Sequence, residues 1–166
     1  AVAADLGRIV VGVGPGGFTG LRIGMATALA LGQALQIEVV GVCSLETLAL
    51  GMTSAGAGRV MVPVIDARRR EVYTAAYREQ GAGLEIIAPP MAATVEAFDA
   101  LLDRIGAECC VAGDGLARIA GCLDGRAEAI ADGPAHRVRA ANSIEWALGA
   151  GRRPVAPLYL RLPDAE

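Results

Sequence analysis

Lysine is absent from this 166-residue chain, so all fifteen basic residues are arginines. That excludes a Walker-type phosphate loop, whose lysine reaches the β/γ-phosphates, and any Schiff-base mechanism. Aromatic residues number six and histidine one, against a formal charge of −3. A basic stripe with stacking rings, the usual equipment for autonomous RNA binding, is therefore missing. No apolar run approaches the roughly eighteen residues that a membrane span requires, because Gly, Arg, Glu or Gln interrupts every stretch. The first ten residues show no basic-to-apolar signal progression, which leaves a cytoplasmic protein as the expectation.

The four cysteines, Cys43, Cys109, Cys110 and Cys122, form no C-x-x-C pair. Cys109 and Cys110 are adjacent and would face opposite sides of a strand, so buried thiols in a reducing compartment are expected, and no metal site. Hydrophobic residues make up 54% of the chain, enough for one domain or two small lobes, with apolar surface to spare for another protein.

The β-branched run Arg8 to Val13 predicts a buried strand, followed by the glycine loop and a helix from about Gly20 to Gln36 with Thr19 as its cap. Glu38 to Cys43 predicts a second strand, and Ser44 the cap of a short helix ending near Leu50. Strand, helix, strand with tight connections is a βαβ unit and implies a parallel sheet. Small residues from Gly51 to Gly58 mark a candidate boundary between lobes. Val60 to Asp66 and Glu71 to Tyr77 read as a hairpin across A-R-R-R, with Pro63 indicating an edge or a bulge. Val95, Phe98, Leu101, Leu102 and Ile105 share one helical face behind a Thr94 cap. A short strand at Cys109 to Ala112, a G-D-G turn and a helix from Leu116 to Leu123 follow. A modest helix at Ser143 to Gly149 precedes an extended, proline-bounded end.

A strand, a glycine turn and a helix N-terminus make an anion site in principle, here with Gly14, Gly16, Gly17, Thr19 and Gly20 as candidate phosphate contacts. Gly12, Gly14 and Gly17 satisfy G-x-G-x-x-G, but Pro15 interrupts the triplet and Cys43 stands where ribose recognition needs a carboxylate. The dinucleotide reading is disfavoured on that mismatch. Gly20, Gly24, Ala28 and Gly32 recur every four residues in the helix, beside a second small row of Ala26, Ala30 and Ala34. Such a face suits close packing, either on the chain's own sheet or on another protein.

The stretch G-P-G-G-F-T-G-L-R-I-G, with V-G-V-C-S-L-E-T-L-A, V-I-D-A-R-R-R-E-V-Y, V-A-G-D-G and the closing P-L-Y-L-R, resembles the bacterial TsaB (YeaZ) family, motif by motif and in order. The resemblance implies an α/β, actin-like (ribonuclease H-like, ASKHA) fold of two lobes, divided here as residues 1–56 and 57–166. It implies a non-catalytic subunit of the machinery that makes threonylcarbamoyladenosine in tRNA. Its partners would be the catalytic paralogue TsaD and the ATPase TsaE, with a homodimer as a further state and tRNA met only indirectly. It favours the intermolecular use of the first helix, through Gly20, Ile23, Gly24, Thr27, Ala28, Leu31 and Gly32. No cofactor is expected on this chain alone, and ATP or ADP only within the complex.

Gly17 stands where the family has serine, which removes a hydroxyl from the loop. The family's opening D-T-S-type strand, hairpin and helix do not precede the loop, so a truncated first lobe is expected. The alternative is a nucleotide-hydrolysing relative using the glycine loop. A catalytic TsaD-type role needs a histidine pair, and His136 is alone. A peptidase would have to draw on Ser44, His136 and Asp66, of which Ser44 is better explained as a cap and His136 as a surface imidazole. Arg68 to Arg70 are read as solvated, with a tRNA contact in an assembly as the other reading. Asp114 is read as a turn residue bonding its own backbone, and Glu46 as a carboxylate favoured by a helix dipole.

Overall fold

The computed structural model describes residues 5–161 except 82, 107, 124 and 150. The βαβ unit forms as expected: β1 (Arg8–Gly14), α1 (Phe18–Leu35) and β2 (Glu38–Cys43), with the two strands parallel and Arg8 opposite Glu38. Helix α1 lies on this two-stranded sheet and buries Met25, Ala28 and Gly32. A Cβ on Gly32 would stand 2.2 Å from Cγ2 of Val39, so this glycine is what lets the helix settle on β2. Half of the four-residue row is thereby used inside the chain.

Strand β2 runs directly into α2 (Ser44–Leu50), which buries Leu45, Glu46, Thr47, Leu48 and Ala49. A helix covered on nearly every side belongs between layers, and α2 packs against both β1 and β2 and the strands that follow. Two cap assignments change. Ser44 is the first helical residue, because Cys43 is at once the last strand residue and the N-cap; Thr19 is the second residue of α1, behind Gly17. Neither helix has a side-chain cap bond.

The second sheet is mixed, in the order β5-β4-β3-β6-β7, from β3 (Val60–Asp66), β4 (Val72–Gln80), β5 (Gly83–Ala93), β6 (Cys109–Ala112) and β7 (Glu128–Ala129). Pro63 lies in the central strand, not at an edge. The β3–β4 pairing passes from Met61–Tyr77 to Val64–Thr74 in unchanged register, with Pro63 left unpaired on that side. Its carbonyl instead accepts from the Thr74 hydroxyl at 3.0 Å. The true edge is β5, where Pro89 and Pro90 are tolerated because an edge strand has N–H groups to spare.

Helix α3 (Val95–Ile105) has the predicted cap, with Thr94 Oγ1 accepting from Ala97 N at 3.3 Å. Phe98, Leu101 and Leu102 from its apolar face join Val62, Val64 and Val111 in the largest core cluster. Burying each such side chain stabilises by about 1.5–3 kcal/mol. Cys109 enters that cluster while Cys110 points into another, as adjacent strand residues must. The remaining elements are α4 (Leu116–Ile119) with a 3-10 turn behind it, a further 3-10 turn at Pro134–His136, and α5 (Ala140–Leu148). The C-terminal segment returns to the first sheet: Arg153 and Gly41 exchange two backbone bonds of 2.9 Å, and Leu158 N donates to Val13 O at 2.7 Å. Of the predicted extended end, residues 162–166 lie outside the described residues. Among the described residues, no helix is long and apolar enough to cross a membrane.

Candidate functional site

Strands β1, β3 and β6 end at Gly14, Asp66 and Ala112. The loops beyond the first two, and Asp114 beyond the third, line a cleft of about 620 Å3. Open α/β sheets bind their ligands in this position, beyond the carboxyl ends of strands. Gly14 turns the chain with φ +108°, and its missing side chain leaves room for Leu21 Cδ1 and Leu158 O, which a Cβ would meet at 3.0 and 3.1 Å. Of the candidate phosphate residues, Gly16 and Gly17 line the cleft; Gly14 is buried beneath it, and Thr19 and Gly20 are exposed in the first turn of α1.

Asp66 organises one wall. Its carboxylate accepts from Arg68 N at 2.8 Å and from Nε and Nη2 of Arg118 at 3.2 Å each. The Arg118 guanidinium, followed by the Arg68 N–H, holds the Asp66 carboxyl below the usual range. Asp114 does not bond its own backbone; its Oδ1 accepts from Asp66 N at 2.9 Å, tying the turn after β6 to the end of β3. The hairpin tip is an unusual turn. Arg68, Arg69 and Arg70 are all left-handed, with φ of 64°, 49° and 66°, a conformation that costs about 1–2 kcal/mol per residue outside glycine. Ala67 N to Glu71 O (3.1 Å) and Glu71 N to Arg68 O (3.0 Å) close it.

At the opposite rim Phe18 stacks on Tyr159, centroids 5.4 Å apart, with the Arg22 guanidinium 3.8 Å above the phenyl ring. From there the outer side of α1 continues as an apolar surface: Ile23 is 62% exposed and Leu31 50%. Gly20, Thr27, Ala26, Ala30 and Ala34 are exposed with them, whereas Ala28 and Gly32 face the sheet. A Cβ built on Gly20 or Gly24 meets nothing within 4 Å, so no contact among the described residues accounts for either glycine.

The family model for TsaD, tRNA N6-adenosine threonylcarbamoyltransferase, matches residues 2–112. An uncharacterised protein of Mycobacterium tuberculosis (strain ATCC 25618 / H37Rv) is 43% identical over 98% of this chain and 68% of its own length. The tRNA threonylcarbamoyladenosine biosynthesis protein TsaB of Bacillus subtilis (strain 168) is 44% identical over 51% of this chain and 36% of its own. The solved structure of YeaZ from Pseudomonas aeruginosa superposes with a TM-score of 0.72 at 25% identity, covering 96% of this chain and 76% of that one. The chain belongs to the TsaB/YeaZ family.

The mixed α/β fold of this TsaB/YeaZ chain fits the actin-like architecture expected from its motifs. Its one histidine is not a surface imidazole. His136 is half-buried; Nδ1 accepts from Gly113 N at 3.2 Å and Nε2–H donates to Ile130 O at 3.0 Å, which fixes the tautomer. Both ring nitrogens are occupied by backbone, and among the described residues no hydrogen bond joins His136 to Ser44 or Asp66. Nor does any group of three or more His, Cys, Asp or Glu among the described residues have the geometry to hold a metal.

Sequence reasoning placed Glu46 in the first turn of α2, where it lies, but missed the polar cluster it anchors in the TsaB/YeaZ chain. Glu46, 3% exposed, accepts from Trp146 Nε1 at 3.1 Å and is ion-paired with Arg153. The Glu46 carboxylate raises the affinity of the Arg153 guanidinium for its proton, while burial pushes the neighbouring Cys43 thiol up. A buried carboxylate without a local partner in sequence is the only signal that was available: Arg153 lies 107 residues away.

Proposed function

We propose that this chain is a non-catalytic subunit of the machinery for tRNA N6-threonylcarbamoyladenosine, docking on the TsaD-type catalytic paralogue through the outer side of α1. The exposed surface of Phe18, Ile23 and Leu31 beside the open Gly20 and Gly24 carries the reading. Glycine inside a helix costs about 1 kcal/mol relative to alanine, and among the described residues nothing offsets that at Gly24; a closely packed partner would. The B. subtilis relative, a tRNA threonylcarbamoyladenosine biosynthesis protein, supplies the pathway. The engagement of both His136 nitrogens supports the non-catalytic assignment. In this reading a TsaE-type ATPase and tRNA join the same assembly, the chain self-associates through α1 when TsaD is absent, and the lobes divide near residue 56.

Size-exclusion chromatography with light scattering, of the chain alone and mixed with the TsaD-type protein of the same source, tests it. A one-to-one complex is expected. Ile23→Arg and Leu31→Arg should each weaken it by roughly thirtyfold or more, the cost of losing a central apolar anchor, with unchanged melting. Unaltered affinity in both variants overturns the docking face. Gly24→Ala should raise the melting free energy of the chain by up to about 1 kcal/mol, since the added methyl has open space. Thermal unfolding measures this, and a loss of stability would contradict it.

A second reading places ATP or ADP in the cleft beside Gly16 and Gly17. It requires saturable binding by this chain alone, and calorimetry that shows none ends it.

A further inference from the structure

The cleft gathers three of the chain's six aromatic residues, Phe18, Tyr73 and Tyr159, with Arg68, Arg69 and Arg161. Phe18 and Tyr159 are 43% and 39% exposed although each stacks on the other. Arg22 fixes the pair, lying over Phe18 and donating from Nε to the Tyr159 hydroxyl at 2.9 Å. With Phe18 stacked on it, Tyr159 still keeps exposed surface for a further contact. Arg68 and Arg69, from the strained left-handed turn, line the same cleft. Strain of this kind clusters at sites of function.

We infer that this rim binds a single-stranded stretch of RNA, one base stacking on Tyr159 and the backbone phosphates lying along the Arg68–Arg70 turn. The inference rests on the proposed role in tRNA modification. Arg68 and Arg69 line the cleft while Arg70 is exposed at the tip beyond it, so the three cations are strung along the turn. Cations strung along a turn match phosphates spaced along a strand better than they match one polyphosphate. Asp66 and Asp114 also line the cleft, and their carboxylates repel a polyphosphate seated at the glycine loop. A cleft of about 620 Å3 is ample for one nucleoside. Exposed aromatic and arginine planes are how proteins hold unpaired bases. With a net charge of −3 the attraction is local, so binding should be weak and salt-sensitive.

A free nucleotide shares the base and phosphate chemistry, and the arms of the test separate the two. The probe is a short single-stranded RNA with a fluorescein label and one 5-iodouridine, titrated into the chain and read by anisotropy. Saturable binding is expected, falling roughly tenfold between about 50 and about 200 mM salt. Tyr159→Leu should weaken it roughly fivefold or more, as should Arg70→Glu at the exposed tip. Photocrosslinks should map to Phe18 or Tyr159. Displacement by ATP as efficient as by unlabelled RNA assigns the site to a free nucleotide and overturns the inference. Absence of binding, or crosslinks elsewhere, also overturn it. Complex formation is measured on the parent chain and on the same variants. In the parent chain, partner binding with no RNA binding refutes this inference alone, and RNA binding with no partner binding refutes the docking reading alone.

Discussion

Gly113→Ala is expected to cost more than about 4 kcal/mol, a fall in melting temperature of about 8 °C or more for a chain of this size. Gly113 has φ +136°, and a Cβ there would stand 1.9 Å from the Val64 carbonyl oxygen and 2.8 Å from its carbon. These are backbone atoms of the central strand, so no rotamer change relieves the clash. Either β6 parts from β3 or the turn changes conformation. Both movements break Gly115 N to Val64 O (3.1 Å), Gly113 N to His136 Nδ1 (3.2 Å) and Asp66 N to Asp114 Oδ1 (2.9 Å). The wall of the cleft would therefore loosen together with the sheet. Gly115→Ala is the graded comparison: its Cβ approaches Val64 Cγ1 at 3.1 Å and Asp66 N at 3.2 Å, where small shifts suffice. Gly121→Ala, in open space, should be close to neutral. If Gly113→Ala melts within about 2 °C of the parent, the close approach of the G-D-G turn to β3 is wrong.

That turn also marks where the sequence stops being legible. Strands β2, β3 and β6 begin and end where the short apolar segments read from the sequence do, and α3 shows its cap and face in Thr94, Phe98, Leu101 and Leu102. These signals are local and repeat with the period of the element. Strand β5 was hidden by Pro89 and Pro90, which read as breakers until its edge position is known. In α1 the spacing of small residues was plain, but not the division that turns Ala28 and Gly32 toward the sheet and leaves Gly20 and Gly24 open. Side-chain spacing specifies a face; the helix's rotation on its sheet comes from packing. The cleft required contacts between distant segments: Asp114 with Asp66, Phe18 with Tyr159 and His136 with Gly113. No window of sequence contains such pairs. The A-R-R-R motif announced a turn but not its left-handed backbone, because arginine does not favour φ > 0.

Glu46→Ala should destabilise the chain by about 3 kcal/mol, the low end for breaking a buried ion pair. The Glu46 side chain is 5% exposed while that of Arg153 is 34% exposed, so the orphaned guanidinium recovers part of its hydration and the full penalty is not reached. Trp146 Nε1 loses its acceptor as well. The effect reaches beyond one contact because of what Arg153 does with its backbone. Its N–H and carbonyl bridge to Gly41, where a Cβ would meet Pro154 O at 2.7 Å. Glu46 on α2 thus pins the returning C-terminal segment to the edge of β2, and the same segment leads to Tyr159 at the cleft rim. Glu46→Gln keeps an acceptor for Trp146 and removes only the charge, so it should cost less than alanine. The decisive comparison is a double-mutant cycle. If the pair acts as a unit, Glu46→Ala with Arg153→Ala will cost less than the sum of the single changes by more than about 1 kcal/mol. Additive losses in denaturant unfolding would mean that the two side chains contribute independently, and that the C-terminal segment is held by its backbone bonds alone.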